Sequence, residues 1–217
     1  MTEAFFLETH ILKFFIPFLL LFSSCANAVY NYHDYPWTRS GEKLTTYASV
    51  HSDWLLKNAR EMYDRYNAYS PFIRETAKAY EVPPEIVVLA AIESSFNPSA
   101  KSKVGAVGMW QFLAPTAREY GLIVDGKIDE RLDWQKSTVA SVRYLKWLAE
   151  EKLNNDYETA IIAYNYGIGN TLKAISRARS SNAWVLINAD FVPKESANHL
   201  MRFLIYIEIF NHLDSTS

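Results

Sequence analysis

Ile86 to Ile92 is an unbroken apolar run, Ile-Val-Val-Leu-Ala-Ala-Ile, closed by one carboxylate, Glu93. So apolar a run reads as a buried helix. Pro83-Pro84 supplies its start, and Pro98 forces the chain out of helix behind it. On either side the pattern is also helical. Asp53 can cap a helix with Trp54, Leu55, Ala59, Met62, Tyr63 and Tyr66 on one face. Ser70-Pro71 opens another through Phe72, Ile73, Ala77 and Tyr80. Gly105 and Gly108 predict a loop, and a short helix from Thr116 to Tyr120 stops at Gly121. Asp133 can cap a long helix through Val139, Val142, Leu145 and Leu148. Tyr157 to Tyr164, Asn170 to Ala178 and Glu195 to Leu213 follow, with the Gly167-Ile168-Gly169 turn between the first two. Convincing alternating strands are absent. The expectation is one all-α domain over 53–217.

The stretch before it differs. Lys13 precedes the apolar run Phe14 to Phe22, so 1–28 reads as an export signal too short to span a bilayer. Two processing readings compete. Ala26-Asn27-Ala28 fits cleavage before Val29, whereas Phe22-Ser23-Ser24-Cys25 resembles a lipoprotein box with Cys25 as the lipid acceptor. Residues 29–52 lack helical periodicity and read as an extended tether. Tyr30, Tyr32, Tyr35 and Trp37 argue that part of it packs as a strap.

Composition narrows the picture. The 217 residues suffice for one domain with a real core and not comfortably for two. A formal net charge of −2 gives no electrostatic case for nucleic acid. Cys25 is the single cysteine, and no two of the five His residues stand at i, i+4. No metal and no cofactor are therefore expected.

The chemistry lies around Glu93. A carboxyl at the end of a buried helix loses solvation, which disfavours its charged form and raises its pKa. An acid still protonated near neutral pH can protonate a leaving oxygen, the step that glycosidic cleavage needs. The alternative is a helix-end Glu facing water. Three segments follow in order: Glu93-Ser94 with Phe96 and Pro98, Gly108-Met109-Trp110-Gln111, and Ala163-Tyr164-Asn165-Tyr166-Gly167. Together they resemble the motifs of the lytic transglycosylases that cleave bacterial peptidoglycan, of the soluble lytic transglycosylase type and most of all its membrane-bound murein D group. The likeness covers roughly residues 80–169, including the stretch from Asp129 to Leu145.

That resemblance implies a lysozyme-like fold and a single catalytic carboxylate, Glu93, acting as acid and then base on the MurNAc–GlcNAc β-1,4 bond. The substrate supplies the rest. Its N-acetyl oxygen stabilises the developing charge, and its own 6-hydroxyl attacks to give a 1,6-anhydro product. Substrate contacts are implied for Ser94, Met109, Gln111, Tyr164, Asn165 and Glu195. Each has a structural alternative: Ser94 could orient Glu93 or face solvent, and Met109 and Trp110 at this spacing are more often core. Tyr164 and Asn165 could simply end a helix. The C-terminal segment departs from the family, with His199 where a Tyr that bonds the acid is usual, and Tyr206 two turns on as a substitute. A His there would charge near pH 6.5 and lower the pKa of Glu93. The expected partners are peptidoglycan glycan strands, with no nucleic acid and contact to a membrane only through a lipid on Cys25. The expected location is the periplasm, as a soluble form or an outer-membrane lipoprotein. Two readings compete with the transglycosylase: a lysozyme-like hydrolase, and a catalytically weak peptidoglycan-binding scaffold.

Overall fold

The structure, a computed structural model, describes residues 35–216. The export signal, Cys25 and the first part of the tether lie outside those residues. Among the described residues the regular elements are helical, with only isolated β-bridges in the loops.

Helix α1 spans Glu42–Ala79. This corrects two expectations. Residues 42–52 are helix rather than tether, and Ser70-Pro71 lies inside one helix rather than between two. A proline in a helix interior loses a hydrogen bond and crowds the preceding turn, at about 3 kcal/mol. Here Pro71 is itself exposed, while Tyr66, Ser70, Ile73 and Ala77 around it are buried. Packing on both sides of the proline outweighs the lost bond. Asp53, expected as a cap, consequently sits mid-helix on the exposed face.

Ahead of α1, residues 35–38 form a packed strap. Trp37 is buried, its ring 5.0 Å from Phe203. The Thr38 hydroxyl donates to Glu158 Oε2 at 3.1 Å, and Trp184 Nε1 donates to the same oxygen at 2.7 Å. The Thr38 amide holds the other oxygen. Burial raises the Glu158 pKa while those donors pull it down.

A turn at Pro84–Ile86 leads into α2, Val87–Ser94, whose residues 87–91 are all buried. The helix ends before Pro98, at Ser95 and Phe96, both with positive φ. The Phe96 ring is fully buried, and its amide bonds the Ala90 carbonyl at 3.1 Å. A short helix α3, Ala114–Glu119, follows the loop, with Gly121 at φ 91° behind it. Helix α4, Trp134–Lys146, is capped by Asp133, which accepts from the amides of Gln135 and Lys136 at 3.1 and 3.0 Å. It runs on into a wider turn, Trp147–Lys152. Helix α5, Tyr157–Tyr166, has Asp156 as cap. Helix α6, Ile168–Ala178, follows Gly167 at φ 83°. Helix α7, Ala183–Asn188, is capped by Asn182 and was not expected from the pattern.

Helix α8, Lys194–Thr216, closes the domain and runs through its middle, packed on α1, α2 and α5. Leu200, Phe203, Leu204, Ile207 and Phe210 are among its buried residues. Residue 93, at the end of α2, and residue 199, in the second turn of α8, thereby meet.

Candidate active site

Glu93 occupies the last turn of α2, and 13% of its side chain is exposed. Burial raises its pKa from 4.5 to about 8, opposed by the positive charge of Arg202. The carboxyl therefore keeps its proton at neutral pH. Its neighbour is His199, whose Nε2 lies 3.3 Å from Glu93 Oε1. His199 is 2% exposed, and burial, helped by Arg202, lowers its pKa to about 3. Two ionisable groups thus meet with neither charged.

His199 is therefore beside Glu93, in contact range of the acid. The expectation that it charges near pH 6.5 is corrected. An imidazolium shut away from water, with Arg202 nearby, loses more solvation than a neighbouring carboxylate returns. His199→Tyr should consequently leave the acid side of the pH–activity profile unchanged, because neither ring carries charge there. A profile of kcat/KM from pH 4.5 to 7.5 checks this; a shifted acid limb would show that His199 does titrate. Tyr206 is buried and hydrogen-bonds Asn58 of α1.

The second segment is a loop pinned from behind. Gly108 has φ 85°, and a Cβ placed there would lie 1.9 Å from the carbonyl oxygen of Arg131. Arg131 is buried. Its Nε and Nη2 bind the Asp129 carboxylate at 2.8 Å each, and Nη1 donates to the carbonyls of Gly105 and Phe112 at 3.0 Å. That guanidinium holds the Asp129 pKa low. Asp129 is thus a structural partner of the loop.

Within the loop, Met109 and Trp110 are fully buried. The Trp110 Nε1 donates to Thr138 Oγ1 at 3.0 Å. Met109 therefore fills core rather than lining a sugar subsite, and its backbone is what reaches the site. The Ser94 hydroxyl donates to the Met109 carbonyl at 2.7 Å and accepts from the Asn97 amide at 3.1 Å. Ser94 ties α2 to the loop rather than orienting Glu93. Gln111 stands at φ 49°, its Nε2 donating to the Gly108 carbonyl at 2.8 Å. Its amide nitrogen is thus engaged in shaping the loop.

Helix α5 brings the third segment. The Tyr164 hydroxyl donates to the Trp110 carbonyl at 2.8 Å. Burial, and then the charge of Glu93, push its pKa well above the ordinary phenol value, which sets the ring close to the acid. Asn165 is exposed, and its Oδ1 accepts from Ser196 Oγ at 2.8 Å, joining α5 to α8. Glu195 is exposed on α8, one turn before His199. Sequence reasoning missed Arg202. It belongs to no motif, and its only signal is its position one turn beyond His199 on the same helix.

The geometry brings Glu93, Tyr164 and His199 together around one protonated carboxyl. Among the described residues Arg202 is the charged group that acts on that carboxyl.

Comparison with known proteins agrees with this arrangement. Residues 70–187 match the family described as "Transglycosylase SLT domain". Membrane-bound lytic murein transglycosylase D of Escherichia coli K12 is 30% identical over 164 residues, covering 72% of this chain and 35% of that protein. The chain thus spans little more than a third of that relative's length. A "putative tributyltin chloride resistance protein" of Alteromonas sp. M-1 is 31% identical over 116 residues, 54% of this chain and 56% of that protein. "Peptidoglycan transglycosylase gp16" of phage T7 is 42% identical over 82 residues, 37% of this chain and 6% of that protein. The matched residues include Glu93, Gln111, Tyr164 and Asn165, while Glu195, His199 and Arg202 lie beyond them. With more than half of its length matched, and a lysozyme-like all-α fold, the chain belongs to the transglycosylase SLT domain family.

Proposed function

We propose that the chain is a peptidoglycan lytic transglycosylase with Glu93 as general acid and then general base. One observation carries the reading: a carboxyl that burial keeps protonated up to about pH 8, in a site where no second carboxylate of the described residues acts on it. Such an acid protonates the glycosidic oxygen between MurNAc and GlcNAc as the bond breaks. A hydrolase of the usual kind places a second carboxylate across the sugar, as nucleophile or base. With one carboxylate, the missing groups come from the substrate. The muramoyl N-acetyl oxygen stabilises the charge at the anomeric carbon. The ionised Glu93 then takes the proton of the same sugar's 6-hydroxyl, whose oxygen closes the 1,6-anhydro ring. An attacker held on the same ring carries a high effective molarity, so water need not take part. Gln111, Tyr164, Asn165 and Glu195 are the proposed substrate contacts; the first two act through the loop wall that they build, the last two from exposed positions.

Mass spectrometry of products released from purified sacculi tests this. Anhydro-muramoyl ends, one water lighter than reducing ends, are expected as the main product. Predominantly reducing ends would point to a lysozyme-like hydrolase instead.

We further propose export, with residues 1–28 removed as a signal or Cys25 retained with lipid. Peptidoglycan lies outside the cytoplasmic membrane, and relatives carry the description membrane-bound. The mature protein should begin at Val29 or at lipidated Cys25. N-terminal mass analysis of material from the native host checks this; an unprocessed Met1 in a cytoplasmic fraction would refute it.

A further inference from the structure

Beside the buried pair lies a concavity of ≈ 400 Å³, lined by Tyr47, His51 and Trp54 of α1 and by Glu195, Asn198 and Arg202 of α8. Each trio follows one helix stripe, at i, i+4, i+7 and at i, i+3, i+7. All six residues fall outside the stretch matched by the family.

Its chemistry is unusual for a surface. Trp54 leaves 49% of its area exposed, a large apolar ring without cover. Tyr47 and His51 stack beside each other with ring centroids 4.4 Å apart. Arg202 is half-buried, and its Nε is shut from water with no hydrogen-bond partner. No carboxylate of the described residues reaches ion-pair distance of its guanidinium. A partly desolvated guanidinium without an acid is a receptor for an anion, best satisfied by a carboxylate. Glu195 stands seven residues earlier on α8, roughly 10 Å along the axis, and offers the opposite charge at the far end.

We propose that this concavity binds the stem peptide of the glycan strand, with a peptide carboxylate on Arg202, an ammonium at Glu195 and the peptide's flank against Trp54. The proposal rests on peptidoglycan being the substrate, whose muramoyl units carry short peptides with free carboxylates and an ammonium. Position supports it. Arg202 is near enough to Glu93 and His199 for its charge to act on both. A peptide hanging from the muramoyl unit at Glu93 must leave the site past one of its walls. The wall with an unpartnered guanidinium and an uncovered indole is the one built to receive it.

Calorimetric titration of the intact protein tests the idea. The two ligands are the GlcNAc–MurNAc disaccharide bearing its tetrapeptide and the same disaccharide without peptide; neither contains the bond to be cleaved. The peptide-bearing ligand should bind about tenfold more tightly. Arg202→Gln should erase that gain, and a melting curve like that of the native protein shows that the variant is folded. Trp54→Ala should reduce the gain in part. Equal binding of the two ligands by the native protein, or a gain that survives Arg202→Gln, would overturn the proposal. A protein that shows the binding difference but releases no product from sacculi would instead fail the transglycosylase reading alone.

Discussion

Glu93→Gln should abolish glycan cleavage and, at the same time, make the protein more stable above pH 7. The first effect follows because an amide is nearly isosteric with the acid but cannot donate a proton to the leaving oxygen. A loss on the order of 10²-fold or more is expected. The second follows from linkage. With its pKa near 8 in the fold against an ordinary 4.5, Glu93 holds its proton in the native state where the unfolded chain has lost it. Between those values the native state binds more protons, so stability falls as pH rises. The full loss is on the order of 3–5 kcal/mol, toward the lower end because 13% of the side chain is exposed.

His199 acts in the opposite sense. With a pKa near 3 against an ordinary 6.5, it is neutral in the fold where the unfolded chain is charged, and its contribution is lost as pH falls. From about pH 4.5 to 6.5 the two slopes oppose each other; above 6.5 only that of Glu93 remains. Thermal melts of both proteins from pH 4 to 8.5 should give a Tm difference near zero at the acid end that widens toward pH 8 in favour of Gln. A constant difference would mean that Glu93 titrates normally. Wild-type turnover should fall above about pH 8, as the acid form disappears.

Gly108→Ala should destabilise the domain severely, by about 3–5 kcal/mol, or on the order of 10 °C in Tm for a domain of this size. Two costs combine. Alanine at φ 85° carries the left-handed penalty, about 1–2 kcal/mol. The added methyl then collides with backbone: the Arg131 carbonyl oxygen would be 1.9 Å away. Arg131 cannot retreat, since Asp129 and the carbonyls of Gly105 and Phe112 hold its side chain. Gly105→Ala is the control. It has the same φ of 85° but nothing within 4 Å of the new atom, so only the conformational penalty applies. Denaturation of the two variants side by side separates collision from strain. Equal losses would show that the loop yields at Gly108.

What could be read from sequence was local chemistry with one dominant physical cause. Asp133 caps α4 because a carboxylate before an apolar stripe has orphan amides to satisfy. Gly108 and Gly167 mark backbone that other residues enter only with strain. Glu93 stood out because a carboxylate ended an apolar helix. What could not be read depends on partners far along the chain. Pro71 reads as a helix start until Tyr66 and Ile73 are seen to be buried on both sides of it. Met109 and Trp110 look alike as core or as cleft until Thr138 is found bonded to the indole. Helix α7 is too short for its periodicity to show. The pairing of Glu93 with His199 was expected by likeness, but the neutrality of both the ring and the carboxyl depends on burial, which residue spacing does not report.

The clasp on Glu158 decides where a self-supporting piece of this chain can begin. That carboxylate is almost entirely enclosed, and two of its three donors come from Thr38. A fragment started at Asp53, or trimmed to the residues that the family shares, would keep the indole of Trp184 but strip away those donors and the Trp37 ring. It would leave an enclosed charge short of partners, a defect on the order of 3–5 kcal/mol. The unit that stands alone therefore reaches back to about Tyr35, well before residue 70 where the family match begins, and that match marks out less of the chain than autonomy requires.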